Sequence, residues 1–102
     1  MSKLIKSGDN VTWLFYCPGC GQHHGFRVAP DPAHPQAPVW RFNWNLDAPT
    51  FTPSLLVHGG TDRRCHLYVR EGRIIYLDDC WHELKGHTVD LVDLDLEKPA
   101  GA

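Results

Sequence analysis

Apolar and polar residues alternate along this chain with a period close to two, the signature of strands with one buried face. Val11-Thr-Trp-Leu-Phe-Tyr16 is rich in aromatic and β-branched residues, and His24-Gly-Phe-Arg-Val28 resumes the pattern after a short interruption. Together they predict a hairpin. Pro30, Pro32, Pro35 and Pro38 crowd the next ten residues. That spacing excludes regular structure and marks Ala29–Pro38 as an exposed loop. From Val39 to Trp44 the alternation places Trp40, Phe42 and Trp44 on one face, which predicts a strand with an aromatic core face rather than a base-stacking platform. Asp47–Pro53 is turn-rich, and within it Thr50-Phe-Thr-Pro-Ser54 reads as a source of turn and capping hydrogen bonds. A short strand, Ser54–His58, follows and ends at Gly59-Gly60.

Cys65–Arg70 and Arg73–Leu77 flank Glu71-Gly72, a second hairpin. Two turns fit. A two-residue loop places Cys65 opposite Asp78, so that Cys65 shares a face with Cys80. A three-residue loop moves the register by one and puts His66 on that face instead. The three-residue loop is the easier, because Glu71 then avoids a positive φ. Asp78 or Asp79 caps a short helix over residues 79–85, with Gly86 ending it. Thr88–Leu94 reads as a closing strand. The fold class is mainly β (small α+β): antiparallel hairpins with one short helix, in a single domain over 1–102 with frayed tails about 1–9 and 97–102.

Charge narrows the partners. Ten Lys and Arg stand against twelve Asp and Glu, so bulk positive charge does not drive nucleic-acid binding. Arg63, Arg64, Arg70 and Arg73 can still form a local basic patch. No apolar run approaches the ~20 residues of a membrane-spanning helix, and the first residues lack the apolar stretch of a secretory signal. The expected location is the cytoplasm of a bacterial host cell. There disulfides are disfavoured, and a Cys-x-x-Cys pair is better read as a metal or redox site.

The chemistry concentrates in the cysteines. Cys17-Pro-Gly-Cys20-Gly is a metal knuckle, its Pro-Gly turn aiming both sulfurs the same way. The chain holds four cysteines in all, the others being Cys65 and Cys80. Four thiolates suit a tetrahedral Zn2+, so the expected ligands are Cys17, Cys20, Cys65 and Cys80, with His66 and then His82 as substitutes for Cys65. The first turn of the expected helix would favour a Cys80 thiolate. That same feature describes a nucleophile, with His82 or His66 as its base, but no cleft or oxyanion site is legible beside it. Were the zinc to keep an open position, His66, His82, Asp79 or Glu83 would supply acid or base. Otherwise the histidines support the site from outside or lie on the surface.

Cys17–Cys20 with His24, Trp44-Asn-Leu-Asp47 leading into Pro49–Ser54, Cys65-His66 before the Gly72 hairpin, and Asp79-Cys80-Trp-His82 with Gly86–Leu91 occur together here. In this order, over about residues 13–94, they resemble a small uncharacterised family of tailed phages and prophages whose members often carry the label ammonia monooxygenase. Trp81 is bulkier than that pattern leads one to expect. The resemblance implies a compact zinc-binding domain, phage-linked and sometimes encoded beside bacterial ubiquitin-like conjugation genes. The monooxygenase label does not suit the chain: that enzyme is a membrane copper assembly, whereas a thiolate-rich set suits zinc. The expected function is therefore a zinc-stabilised accessory protein, phage- or prophage-encoded, that engages a host or phage protein and acts against a host defence. The alternatives are a small zinc-dependent hydrolase of peptide or isopeptide bonds and a nucleic-acid-binding zinc ribbon.

Overall fold

In the computed structural model, which describes residues 3–30 and 32–94, the chain forms two antiparallel sheets. The expected frayed residues 97–102 lie outside the described residues, as do Met1 and Ser2. The first sheet has the order β1-β2-β3: β1 (Ile5–Lys6), β2 (Thr12–Cys17) and β3 (Gln22–Arg27). The second runs in chain order: β4 (Arg41–Phe42), β5 (Phe51–Val57), β6 (Cys65–Arg70), β7 (Arg73–Tyr76) and β8 (Thr88–Asp90).

Both sheets bury alternate residues in one core. Phe15 and Phe26 from the first meet Phe51, Leu67, Val69, Ile74 and Tyr76 from the second. A column of rings joins them: Phe26 stacks on Phe51 at 4.1 Å between centroids, and Phe51 on Phe42 at 4.5 Å. Leu4, just before β1, is buried as well.

Several elements depart from the pattern-based expectation. No α-helix is present among the described residues, and 78–86 is a run of turns. Seven residues are too few to nucleate a helix without help. Here the backbone is drawn elsewhere: Trp81 N–H bonds the Arg64 carbonyl, and Leu84 N–H bonds the His82 ring. The helix dipole invoked for Cys80 is therefore absent.

The β6–β7 hairpin takes the tighter turn. Arg70 pairs with Arg73, and both Glu71 (φ 48°) and Gly72 (φ 79°) are left-handed. Two bonds from outside hold the turn: Glu71 N–H to Thr50 Oγ1 (2.8 Å) and Gly72 N–H to the Pro49 carbonyl (3.0 Å). They offset the cost of a positive φ at Glu71.

The strand expected over Val39–Trp44 shrinks to two residues. Trp44 turns left-handed (φ 60°), and the Asn43 and Asn45 carboxamides accept N–H groups of Asn45, Asp47, Ala48 and Thr50 to build a loop. Trp44 is thereby an exposed residue rather than a core one, leaning on Phe42 and Trp13. β5 instead starts earlier and runs through Pro53, with an irregularity in its pairing between Phe51 and Leu55.

Candidate functional site

Strand β6 carries chemistry on both faces. Cys65, Leu67 and Val69 point into the core, while His66, Tyr68 and Arg70 point out. The inner and outer sets form two separate constellations.

On the inner side, the Cys17, Cys20 and Cys65 sulfurs and a ring nitrogen of His24 all lie within 4.8 Å of one another. The knuckle and β3 account for three of them. Cys17 ends β2, Cys20 follows in the turn, and His24 sits opposite Phe15 in the β2–β3 ladder, on the buried face shared with Cys17. Cys65 opens β6 from the other sheet. His24 Nε2 is buried and has no hydrogen-bond partner among the described residues. An orphaned buried nitrogen among three thiols fits a ligand to a metal ion, since a buried polar atom left unpaired is costly. This four-residue group can hold a metal ion.

The three thiols act on one another's ionisation. The bond from Cys65 holds the Cys17 thiol down to about 3, and the Cys17 thiolate in turn pushes Cys65 up, with burial adding to the rise. Burial raises Cys20 as well. Thiolates packed this closely repel one another, and a bound cation would favour their ionised forms. Support comes from around the cluster. Tyr76 Oη meets Cys17 Sγ at 3.1 Å, and Trp81 Nε1–H bonds Cys20 Sγ at 3.4 Å beneath the Arg63 guanidinium. His82 packs so closely on the knuckle that a Cβ at Gly19 would overlap its ring. Its Nδ1 accepts from Leu84 N–H and its Nε2 faces Cys65 Sγ at 3.3 Å, so Nε2 carries the proton and donates to sulfur. Burial keeps that ring neutral by lowering its pKa.

Cys80 stands to one side of the four. With Cys65 and His82 it forms a second close group, and its sulfur brackets the His66 backbone, accepting from N–H at 3.3 Å and donating to C=O at 3.1 Å.

On the outer side, Ser54 Oγ lies 3.1 Å from His66 Nε2, and His66 Nδ1 lies 3.2 Å from Asp79 Oδ2. An ionised carboxylate only accepts, so Asp79 fixes the proton on Nδ1 and leaves Nε2 to accept from the serine hydroxyl. Arg64 holds Asp79 in place twice, through its backbone carbonyl (3.3 Å) and its carboxylate (3.7 Å). Trp40 Nε1–H anchors the Ser54 carbonyl at 3.1 Å. The histidine and aspartate are partly open to solvent, at 27% and 40% side-chain exposure.

A serine hydroxyl, an imidazole and a carboxylate in this order can do nucleophilic acyl transfer. A family model described as bacterial ubiquitination-like system serine protease (BubE) matches residues 2–77. The chain belongs to that family. The match spans Ser54 and His66 and ends two residues before Asp79. No curated protein and no solved structure matches the chain.

Membership in a serine protease family overturns the expected accessory role, in which a structural zinc merely stabilises a phage-encoded interaction module. It agrees with the hydrolase alternative in the class of reaction but names a serine, not a zinc ion, as its chemistry, and it does not describe a nucleic-acid-binding zinc ribbon. Of the residues considered for acid or base, His66 and Asp79 meet on the outer face, while His82 lies in the core against Cys65. Ser54 was assigned only turn and capping bonds from sequence, and His24 no ligand role. Both have a signal in strand parity. Pairing Val57 with Cys65 puts Ser54 on the His66 face, and the β2–β3 hairpin puts His24 on the Cys17 face.

Proposed function

We propose that this chain is a serine protease in which Ser54 is the nucleophile, His66 the general base and acid, and Asp79 the group that orients the imidazole. The observation that carries this reading is the hydrogen-bonded sequence Ser54 Oγ–His66–Asp79 on the outer face of β5 and β6. Ser54 Oγ attacks the scissile carbonyl carbon while His66 Nε2 takes the hydroxyl proton. The tetrahedral adduct collapses as His66 returns that proton to the leaving amine, which departs and leaves an acyl ester on Ser54. Water, deprotonated by His66, attacks the ester, and the released Ser54 oxygen regains its proton. Asp79 stays ionised throughout and stabilises the imidazolium.

The family description supports a protein of a ubiquitination-like system as substrate, and the bond cut in this reading is a peptide or isopeptide bond. Both bonds present the same acyl group and release an amine, so one triad serves either. The inner cluster supports a structural Zn2+ held by Cys17, Cys20, His24 and Cys65, three thiolates and one imidazole. When bound, the ion would cross-link the knuckle to β6 and take no part in bond cleavage. Three thiolates that must stay reduced favour a cytoplasmic setting.

Treating intact protein with a small fluorophosphonate and mapping the adduct by mass spectrometry tests the reading. A single adduct on Ser54, absent from Ser54→Ala and from His66→Ala, is expected. No adduct, or one on another residue, would sink it.

A further inference from the structure

The triad lies beside a strand edge that is open. On one side β5 pairs with β6 as far as Val57, but on the other β4 covers only Phe51 and Thr52. From Ser54 to Val57 no strand flanks that second side among the described residues.

The register shows which backbone groups face the gap. Leu56 stands directly opposite His66. His66, however, gives its N–H to Cys80 Sγ and its carbonyl to Leu77 N–H and Cys80 Sγ, all on the β7 side. Opposed residues of an antiparallel pair either exchange both bonds or turn both away. Leu56 therefore directs its N–H and its C=O outward, into the open edge. The Ser54 carbonyl, two residues earlier, points the same way, towards Trp40 Nε1 on the β4 side. No backbone bond outside the β5–β6 ladder, and no side-chain bond, reaches Leu56 among the described residues. Its side chain is 52% exposed, on the same face as Ser54 and His66.

We propose that this edge is the substrate-binding strand of the protease. The occupant is an extended polypeptide segment that adds beside β5, exchanging two main-chain hydrogen bonds with Leu56 and bringing its scissile carbonyl towards Ser54 two residues along. Strand addition reads the main chain rather than a side chain. It selects tails and linkers over folded surfaces, and it supplies the cover that the open triad lacks. This inference rests on the serine-protease reading, so the test separates the two.

Intact protein is treated in parallel with a small fluorophosphonate, a tetra-alanyl diphenylphosphonate, and the same peptide with alternate amides N-methylated. Adduct formation on Ser54 is timed by mass spectrometry. The unmethylated peptide is expected to react about fivefold faster than its methylated counterpart, the effect of losing the one hydrogen bond from its N–H to the Leu56 carbonyl. In Leu56→Pro, which removes the outward N–H without touching the ladder, the unmethylated peptide is expected to slow about fivefold relative to the small fluorophosphonate, while the difference between the two peptides stays because the residue-56 carbonyl remains. In Leu56→Ala both peptides should react as they do with the wild type. If the peptides react with wild type at equal rates, or neither reacts while the fluorophosphonate does, strand addition is overturned and the triad stands. Failure of the fluorophosphonate to modify Ser54 removes the triad and this inference with it. Should Leu56→Pro fail to fold, the wild-type comparison alone decides.

Discussion

Residues 65 and 66 are neighbours in the chain and belong to different worlds. Cys65 is fully buried and meets its partners inside, on strands of the first sheet and in the turns after β2 and β7; His66 faces out and meets Ser54 and Asp79 near solvent. Cys80 and Asp79 repeat the arrangement one strand away. The buried constellation is dense and over-determined, each sulfur having several polar neighbours. The outer one has two hydrogen bonds and an arginine. Burial makes the inner group a determinant of stability, whereas exposure makes the outer one dispensable for folding and adjustable by whatever binds.

That contrast can be broken from either side. The largest effect is expected from stripping the metal. A structural zinc can contribute about 10 kcal/mol or more, comparable with the whole stability of a small domain, so chelation should abolish the cooperative thermal transition seen by circular dichroism. An unchanged melting temperature after complete chelation would refute a structural ion. Next, Ser54→Ala should lower kcat by about 10^4-fold or more while leaving the melting temperature within about 2 °C. A large loss of stability would show that the two faces are not separable. Asp79→Asn should cost about 10^3–10^4-fold in kcat, since the amide favours the wrong imidazole tautomer, with KM little changed. A loss confined to KM would argue against its orienting role. Cys80→Ala removes the sulfur that brackets the His66 backbone. It should destabilise by about 1–2 kcal/mol in urea titrations, and activity should fall beyond that loss if the bracket also sets the His66 position. The smallest effect belongs to Arg64→Ala, a solvent-exposed pair worth about 0–1 kcal/mol. Its expected signature is a modest activity loss that salt reproduces in the wild type.

Much of the architecture was legible from residues alone. β2, β3, β6 and β7 follow from alternation, because each buries every second side chain and turn residues bound it. The Cys17–Cys20 knuckle and its meeting with Cys65 were legible from thiolate chemistry. What escaped depended on contacts between distant segments. β1 is two residues long and fixed by its pairing with β2, so it has no pattern of its own. The Glu71-Gly72 turn was decided by Thr50 and Pro49, about twenty residues away. Ser54 and His66 meet only because the β5–β6 register brings them together, and no local motif surrounds this serine. His24 looked like one of several spare histidines until the hairpin register put it beside Cys17.

Trp81 offers a consequence of a different kind. Its indole N–H rests on Cys20 Sγ while Arg63 lies over its ring, on a side chain 41% exposed. Excited indole is quenched by a nearby electron-rich sulfur, and less so when that sulfur shares its electrons with a cation. Of the chain's four tryptophans, Trp81 is the one bonded to a cluster sulfur among the described residues, so a change in its emission would report a metal ion taken up by the proposed site, without any added dye.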